Sequence, residues 1–276
     1  MRTDNWYNEN KDIILEKYYN GKRIEDLCEE MMCNKSKLYR KFKEWNIEKR
    51  KRISSKIRPN AKYEVDYDYF KIIDNEHKAY WLGFMLADGF VNQKEISFCL
   101  QKQDEKMIEL FRKDLKSNHP IKYNKDNNPY ITIVCKSICE DLINKGFHNR
   151  KSWSIEFDKI ISFVPEKIFN HFVRGMFDGD GCIKYYNYDY LSKPQFHFGY
   201  TGVKNVCDYL KNMFDIERDL VHENGDTFTL VTRDPNKINE IFDYLYKDST
   251  IYMNRKYEIF NAIKMMTFND YNKAIS

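Results

Sequence analysis

The chain of 276 residues has no apolar run near the roughly 20 residues that a membrane-spanning helix needs. Its opening, Met-Arg-Thr-Asp-Asn-Trp, is too polar for a secretion signal. Seven cysteines without a Cys-x-x-Cys pair argue against a disulfide framework and a zinc cluster, and the six histidines lack metal-ligand spacing. We therefore expect no membrane segment and an intracellular location, in the cytoplasm or nucleoid, an organelle or a virus-infected cell.

The basic residues concentrate in one segment. Residues 35–58 contain 11 Lys or Arg and 2 Glu, a net charge of +9, whereas the whole chain has a formal net charge of only +4. The rest of the chain is therefore acidic. Such a concentration is expected of an element that follows a phosphate backbone.

The amino-terminal 48 residues have the apolar spacing of three short helices, over 12–19, 24–31 and 35–45, with Asn34 placed to cap the third. This pattern resembles a helix-turn-helix module, whose third helix would enter the major groove; a module for protein contacts is the alternative. A basic linker over 49–62 would lie along the groove or the phosphates. The helix would present Lys35, Ser36, Lys37, Tyr39, Arg40 and Lys43, and the linker contributes Lys49, Arg50, Lys51 and Arg52.

Two similar segments, Trp81-Leu82-Gly83-Phe84-Met85-Leu86-Ala87-Asp88-Gly89 and Val173-Arg174-Gly175-Met176-Phe177-Asp178-Gly179-Asp180-Gly181, lie 92 residues apart. Each predicts an apolar helix with small residues four apart, so the two helices can pack closely. Each helix should stop at a glycine in the left-handed backbone that helix exits often adopt. The last turns then bring Asp88 and Asp180 together at two carbonyl ends, where the repulsion requires a bound cation.

These repeats resemble the motifs of the LAGLIDADG homing endonucleases in their single-chain, two-motif form. In that family the metal-binding carboxylate precedes the final glycine, which here is Asp88 or Asp180. Leu86 departs from the motif, because the family often has an acidic residue there. The resemblance also points to Lys151 and Lys256, in the basic tripeptides that follow each half, as lysines near the active site.

The resemblance implies an α+β fold of two pseudo-symmetric αββαββα repeats that form a DNA-binding saddle behind the small all-α helix-turn-helix domain. We place the repeats at 63–163 and 164–276. Period-two alternation, as in Ile96-Ser97-Phe98-Cys99, predicts which side chains of each sheet face away from the core. The side chains predicted to face DNA are Ser97, Cys99, Gln101, Gln195, His197, Thr227, Thr229 and Arg233.

The expected activity is site-specific, double-strand cleavage of DNA by a monomer that recognises a long asymmetric site. Mg²⁺ would be held by Asp88 and Asp180, with Mn²⁺ able to substitute. Lys151 and Lys256 would stabilise charge on the phosphate, and Gln101 would help to position solvent. A non-cleaving transcriptional regulator and an intron RNA maturase on the same fold are the alternatives.

Overall fold

A computed structural model describes residues 2–19, 24–47, 62–148, 156–186, 194–216, 221–224 and 227–275. The chain divides into two compact units, residues 1–60 and 61–276, and both predicted repeats lie in the second. None of the helices within these ranges is long and apolar enough to cross a membrane.

Within its described residues, 2–19 and 24–47, the first unit contains four short helices: α1 (Asp4–Glu9), α2 (Lys11–Tyr19), α3 (Ile24–Glu30) and α4 (Lys35–Glu44). Helix α1 was not expected. It begins because the Thr3 hydroxyl accepts from the backbone N–H of Trp6, and it supplies the fully buried Tyr7 to the core. Asn34 caps α4 as predicted, by accepting from the N–H of Lys37 at 3.0 Å. Ile13, which fits the helical spacing of a core residue, is instead 47% exposed.

The second unit repeats one topology twice. The first half runs α5 (Glu76–Ala87), β1 (Phe90–Val91), β2 (Ile96–Cys99), α6 (Glu105–Asp114), β3 (Lys122–Tyr123), β4 (Pro129–Ile133) and α7 (Lys136–Asn144), with a 3₁₀ turn at Lys102–Asp104. The second half runs α9 (Phe169–Asp180), β5 (Gly181–Tyr186), β6 (Gln195–Val203), α10 (Lys204–Met213), β7 (Val221–Asn224), β8 (Thr227–Thr232) and α11 (Pro235–Tyr246). The predicted order αββαββα is confirmed in both halves.

The two four-stranded sheets share one antiparallel order, β1-β2-β4-β3 and β5-β6-β8-β7. Alternating apolar residues turn one face of each sheet inward, as Ile96, Phe98 and Ile131 do in the first sheet. Helices α6 and α7 contact the first sheet, and α10 contacts the second. The apolar side chains of both halves form one continuous core.

Among the described residues, one helix before α9 and one after α11 lie outside the repeated order. Helix α8 (Phe157–Ile161) and a 3₁₀ turn (Glu166–Ile168) precede α9. The tripeptide Asn254-Arg255-Lys256, expected to end the second half, instead begins α12 (Asn254–Ile275). This helix continues because Phe260 and Ile263, three positions apart, are fully buried where α12 packs on α11 and β5.

Candidate active site

Helices α5 and α9 cross at matched glycines. A Cβ atom placed on Gly83 would lie 2.0 Å from the carbonyl oxygen of Phe172, and one on Gly175 would lie 2.0 Å from that of Tyr80. One turn later, a Cβ on Gly179 would lie 2.3 Å from the Cβ of Ala87. The two backbones therefore approach as the small residues predicted, and the contact is nearly symmetric.

The glycines that end the two helices are needed for a different reason from the one expected. Neither Gly89 nor Gly181 has a positive φ, and Gly181 is extended at φ −80° and ψ 154°. A Cβ on Gly89 would lie 2.6 Å from the carbonyl oxygen of Met85, and one on Gly181 would lie 2.1 Å from the ring of Phe177. The expectation of left-handed helix exits is wrong: the chain folds back so closely on each last turn that no side chain fits.

The structure brings Asp88 and Asp180 together. Asp88 is the C-cap of α5, and Asp180 is the last residue of α9. The Asp88 Oδ2 atom lies 3.5 Å from where a Cβ on Gly179 would be, beside the residue that precedes Asp180. Asp88 is exposed and Asp180 is half-buried. Burial raises the pKa of the Tyr200 hydroxyl, and the charges of Asp180 and Asp88 raise it further.

Lys256 lies at the carbonyl end of α9 and is only 2% exposed. Its Nζ donates to the carbonyl oxygens of Phe177, Asp178 and Gly181 at 2.6 to 2.7 Å, and lies 3.4 Å from that of Gly179. Burial lowers the pKa of Lys256 to about 8, whereas the charges of Asp178, Asp88 and Asp180 act in the opposite direction. A buried cation thus neutralises the partial negative charge of the helix end that carries Asp180.

Asp178 is a buried carboxylate that the sequence reasoning did not select. Its Oδ2 accepts from the Tyr80 hydroxyl at 2.7 Å and from the N–H of Met253 at 2.8 Å. Burial raises the pKa of Asp178, although the charge of Lys256 opposes this. The position occupied by Leu86 in the first motif is thus a polar anchor in the second. The available signal was a charged residue between the apolar Phe177 and the small Gly179 of the motif helix.

Arg174 is fully buried and ties α9 to the segment before α12. It donates to Glu76 at 2.7 Å, to the carbonyl of Ile251 at 2.9 Å and to that of Leu245 at 2.7 Å. Glu76 also accepts from the N–H and the hydroxyl of Thr250. Burial alone would raise the pKa of Glu76, but these hydrogen bonds and the charge of Arg174 hold it below its usual value. The network fixes the segment that leads to Lys256.

The sheet faces turned away from the core carry the side chains predicted to face DNA. In the first sheet, Cys99 and Gln101 are exposed and Ser97 is half-buried. In the second, Gln195, Thr227 and Arg233 are exposed and His197 is half-buried. Thr229 is only 8% exposed, because strand β8 pairs on both sides and its hydroxyl lies 2.9 Å from that of Thr201.

Two basic side chains act on His197 at this face of the second sheet. Burial lowers the pKa of His197, and the charges of Arg233 and Lys184 lower it further. Lys184 pairs with His197 across β5 and β6 and is exposed. The sequence reasoning did not select Lys184, although its alternation with the buried Ile183 would have identified it.

In the first unit, helix α4 presents the predicted set of residues. Lys35, Ser36, Tyr39, Arg40 and Lys43 are exposed, and Lys37 is half-buried. Asp4 at the start of α1 forms ion pairs with Arg40 at 2.9 Å and with Lys37 at 3.0 Å. The hydrogen bond from Lys37 is the main cause of the lowered pKa of Asp4. The remaining predicted residues, Lys49, Arg50, Lys51, Arg52 and Lys151, lie outside the described ranges.

Solved structures share this architecture. The LAGLIDADG meganuclease I-AabMI bound to uncleaved DNA matches with a TM-score of 0.54 at 12% identity, over 72% of this chain and 92% of that chain. The I-SmaMI LAGLIDADG homing endonuclease bound to cleaved DNA matches with a TM-score of 0.52 at 12% identity, over 73% and 91%. The I-LtrWI LAGLIDADG homing endonuclease bound to target DNA matches with a TM-score of 0.50 at 13% identity, over 74% and 93%.

Comparison by sequence alone finds neither a protein-family model nor a curated protein that matches the chain. The fold of most of the chain is that of the LAGLIDADG homing endonucleases, as the two motifs predicted.

Proposed function

With the LAGLIDADG homing endonuclease fold as the premise, we propose that this protein is a site-specific endonuclease that cuts both strands of DNA. The observation that carries the proposal is the convergence of Asp88 and Asp180 at the ends of two crossing helices. Two acids placed beside a phosphate backbone would weaken binding in a protein that only binds DNA, but they suit one that hydrolyses it. I-SmaMI and I-AabMI, which share the fold, were solved bound to DNA.

The proposed substrate is a long duplex site without internal symmetry, bound by a monomer. Away from the acids, the two open sheet faces would follow the major groove. The acids, and the ends of the sheet faces beside them, would lie beneath the minor groove. The halves differ in chemistry, since the second face carries the positive charges of Lys184 and Arg233 beside His197. A single chain with unequal halves should therefore read an asymmetric sequence.

The donor set at the helix ends fits a divalent cation with hard oxygen ligands. The carboxylates converge, and the ammonium group of Lys256 is already directed at main-chain carbonyl oxygens. No cluster of three or more His, Cys, Asp and Glu gathers in the part of the chain that the structure describes. Asp88 and Asp180 would therefore hold Mg²⁺ together with phosphate oxygens and water, and Mn²⁺ should substitute. I-SmaMI was solved in the presence of calcium ions.

When bound, such an ion supplies Lewis-acid polarisation of the phosphate and a water of lowered pKa. The chain's own residues position the acids. Lys256 holds the end of α9 in place, and Asp178 with Tyr80 fixes the N–H of Met253 just before Lys256. Lys151 is proposed to stabilise negative charge on the phosphate, and Gln101 is proposed to orient solvent.

The first unit is proposed to bind DNA as a helix-turn-helix module. Helix α4 would enter the major groove with Lys35, Ser36 and Tyr39 among its exposed residues, and the basic segment 49–52 would contact phosphates. This unit would add affinity and extend the recognised sequence.

The decisive experiment incubates the purified chain and Mg²⁺ with a plasmid that carries the uninterrupted insertion locus of its gene. We expect a linear product. Asp88→Asn and Asp180→Asn should each abolish double-strand cleavage while leaving binding largely intact, because the loss of one carboxylate charge weakens the cation site. Asp243→Asn, an acid on helix α11 whose side chain is 61% exposed, is the matched control. Binding without cleavage by the wild type would favour a regulator, and splicing of intron RNA would favour a maturase.

The role of the first unit is tested by the salt dependence of binding. The double variant Lys35→Ala and Lys43→Ala should reduce the slope of log K against log salt by about two, because each lysine that neutralises a phosphate displaces about one counterion. Lys136→Ala on the outer helix α7, whose side chain is 68% exposed, should leave the slope unchanged. An unchanged slope for the double variant would remove α4 from the DNA interface.

A further inference from the structure

Phe90 is a large apolar side chain on the open face of the first sheet, two residues after Asp88. It is 44% exposed, whereas Val91, the next residue of β1, is 1% exposed and points into the core. Its partner across the sheet is Ser97, which the alternation also places on the open face. An aromatic ring therefore projects into solvent next to one acid of the proposed active site.

The equivalent position in the second half carries no such ring. Cys182 follows Asp180 by two residues and pairs with Gly199, as Phe90 pairs with Ser97. A Cβ placed on Gly199 would lie 3.2 Å from the Nε2 atom at the end of the His197 side chain. The nearest main-chain atom, the carbonyl oxygen of Leu230, would be 3.7 Å away. Beside Asp88 the open face thus carries a protruding ring, and at the equivalent place beside Asp180 it carries a thiol opposite a glycine.

An exposed aromatic ring in this place has a specific use on DNA. Apolar side chains that enter the minor groove can unstack one base step, and the free energy required for unstacking depends on the step. Pyrimidine–purine steps unstack most readily, so a wedge reads sequence without hydrogen bonds to the bases. The ring carries no charge, which makes it unsuited to contact phosphates.

On the basis of the proposed function, we infer that Phe90 wedges into the minor groove between the two cut phosphates, on the side of the first repeat. It would unstack one central base step and make cleavage selective for a flexible pyrimidine–purine step there. Cys182, the equivalent residue of the second repeat, carries no ring, so Phe90 gives this selectivity to the first-repeat side of the site.

The test uses the full-length protein and duplexes of the cleaved locus with 2-aminopurine at each central position, in calcium for binding and in Mg²⁺ for cleavage. Wild-type protein should raise the fluorescence several-fold at one position on the first-repeat side. Phe90→Ala should abolish this rise and slow cleavage about tenfold. Phe90→Leu, which keeps an apolar wedge, should retain part of the fluorescence rise and part of the cleavage rate. Ile72→Ala removes an apolar side chain that is 63% exposed and lies outside the sheet. It should change neither the fluorescence nor the cleavage rate.

A second arm replaces the central step by a stiff A-tract step. The wild type should lose about tenfold in cleavage rate, and Phe90→Ala should lose none. If the wild type cleaves the site but no position gains fluorescence, or if Phe90→Ala matches it in both assays, the inference is overturned while the proposed function stands. If the wild type cleaves nothing, the proposed function fails and this inference fails with it.

Discussion

The two repeats have the same backbone plan but different chemistry in their motif helices. Leu82 and Leu86 of α5 are apolar and buried, whereas Arg174 and Asp178 occupy the corresponding positions of α9. The charged pair reaches the segment between α11 and α12, and it fixes the approach to Lys256. The shared fold thus requires only the small residues of the motif helices and the apolar alternation of the strands, since the first half reaches the same fold with the apolar helix α5. The buried charges of α9 contact the segment that leads into α12.

The largest effect is expected from Arg174→Leu, which gives the second repeat the residue of the first. Glu76 would lose its guanidinium partner, and the carbonyls of Leu245 and Ile251 would lose a donor. Breaking a buried ion pair from one side costs about 3 to 5 kcal/mol, measured by equilibrium unfolding in urea. The double variant with Glu76→Gln should recover part of this loss. A loss no larger than that of a surface control such as Lys136→Ala would show that the network is not a structural clamp.

The contact between α5 and α9 should be equally sensitive to a substitution at either of its two facing glycines. Gly83→Ala and Gly175→Ala each place a Cβ 2.0 Å from a carbonyl oxygen of the facing helix, so each should lose about 3 kcal/mol of unfolding free energy. Gly199→Ala, where the nearest atom is the end of a side chain, is the control. Clearly unequal losses in urea unfolding at Gly83 and Gly175 would contradict the symmetry of the crossing.

A smaller effect is expected at Asp178, whose hydrogen bond with Tyr80 has no counterpart at Leu86. Tyr80→Phe removes the hydroxyl that donates to this buried carboxylate, which should lower the unfolding free energy by about 1 to 3 kcal/mol. Tyr246→Phe is the matched control, because its buried hydroxyl has no hydrogen-bond partner within the described ranges. Equal results in thermal unfolding for the two variants would show that the Tyr80 bond contributes nothing.

Much of the second unit followed from local patterns. Alternation predicted the buried Ile96 and Phe98 of β2, and small residues four apart predicted the packing of α5 on α9. Both depend on neighbours within a few positions, which a periodic pattern records. The predicted reason for Gly181 was wrong because its constraint is the ring of Phe177, which the backbone preference of glycine does not reveal.

The partners of Asp178 and Lys256 could not be predicted in this way. Met253 and Lys256 lie about 75 residues from the motif that they contact, and no repeat spacing links them. Thr229 illustrates the same limit within a sheet, since its alternation predicts an open side chain but its pairing on both sides buries it.

The order of helices and strands, the inward face of each strand and the two small-residue helix surfaces were determined by the amino-acid sequence itself, because each depends on side chains that are close along the chain. Only the tertiary structure decided which partners the buried charges have: a lysine beneath one of the two acids, and an arginine and an aspartate that hold the segment before it. Those contacts depend on how whole elements pack, and a buried charge acquires its role from the partner that packing brings to it.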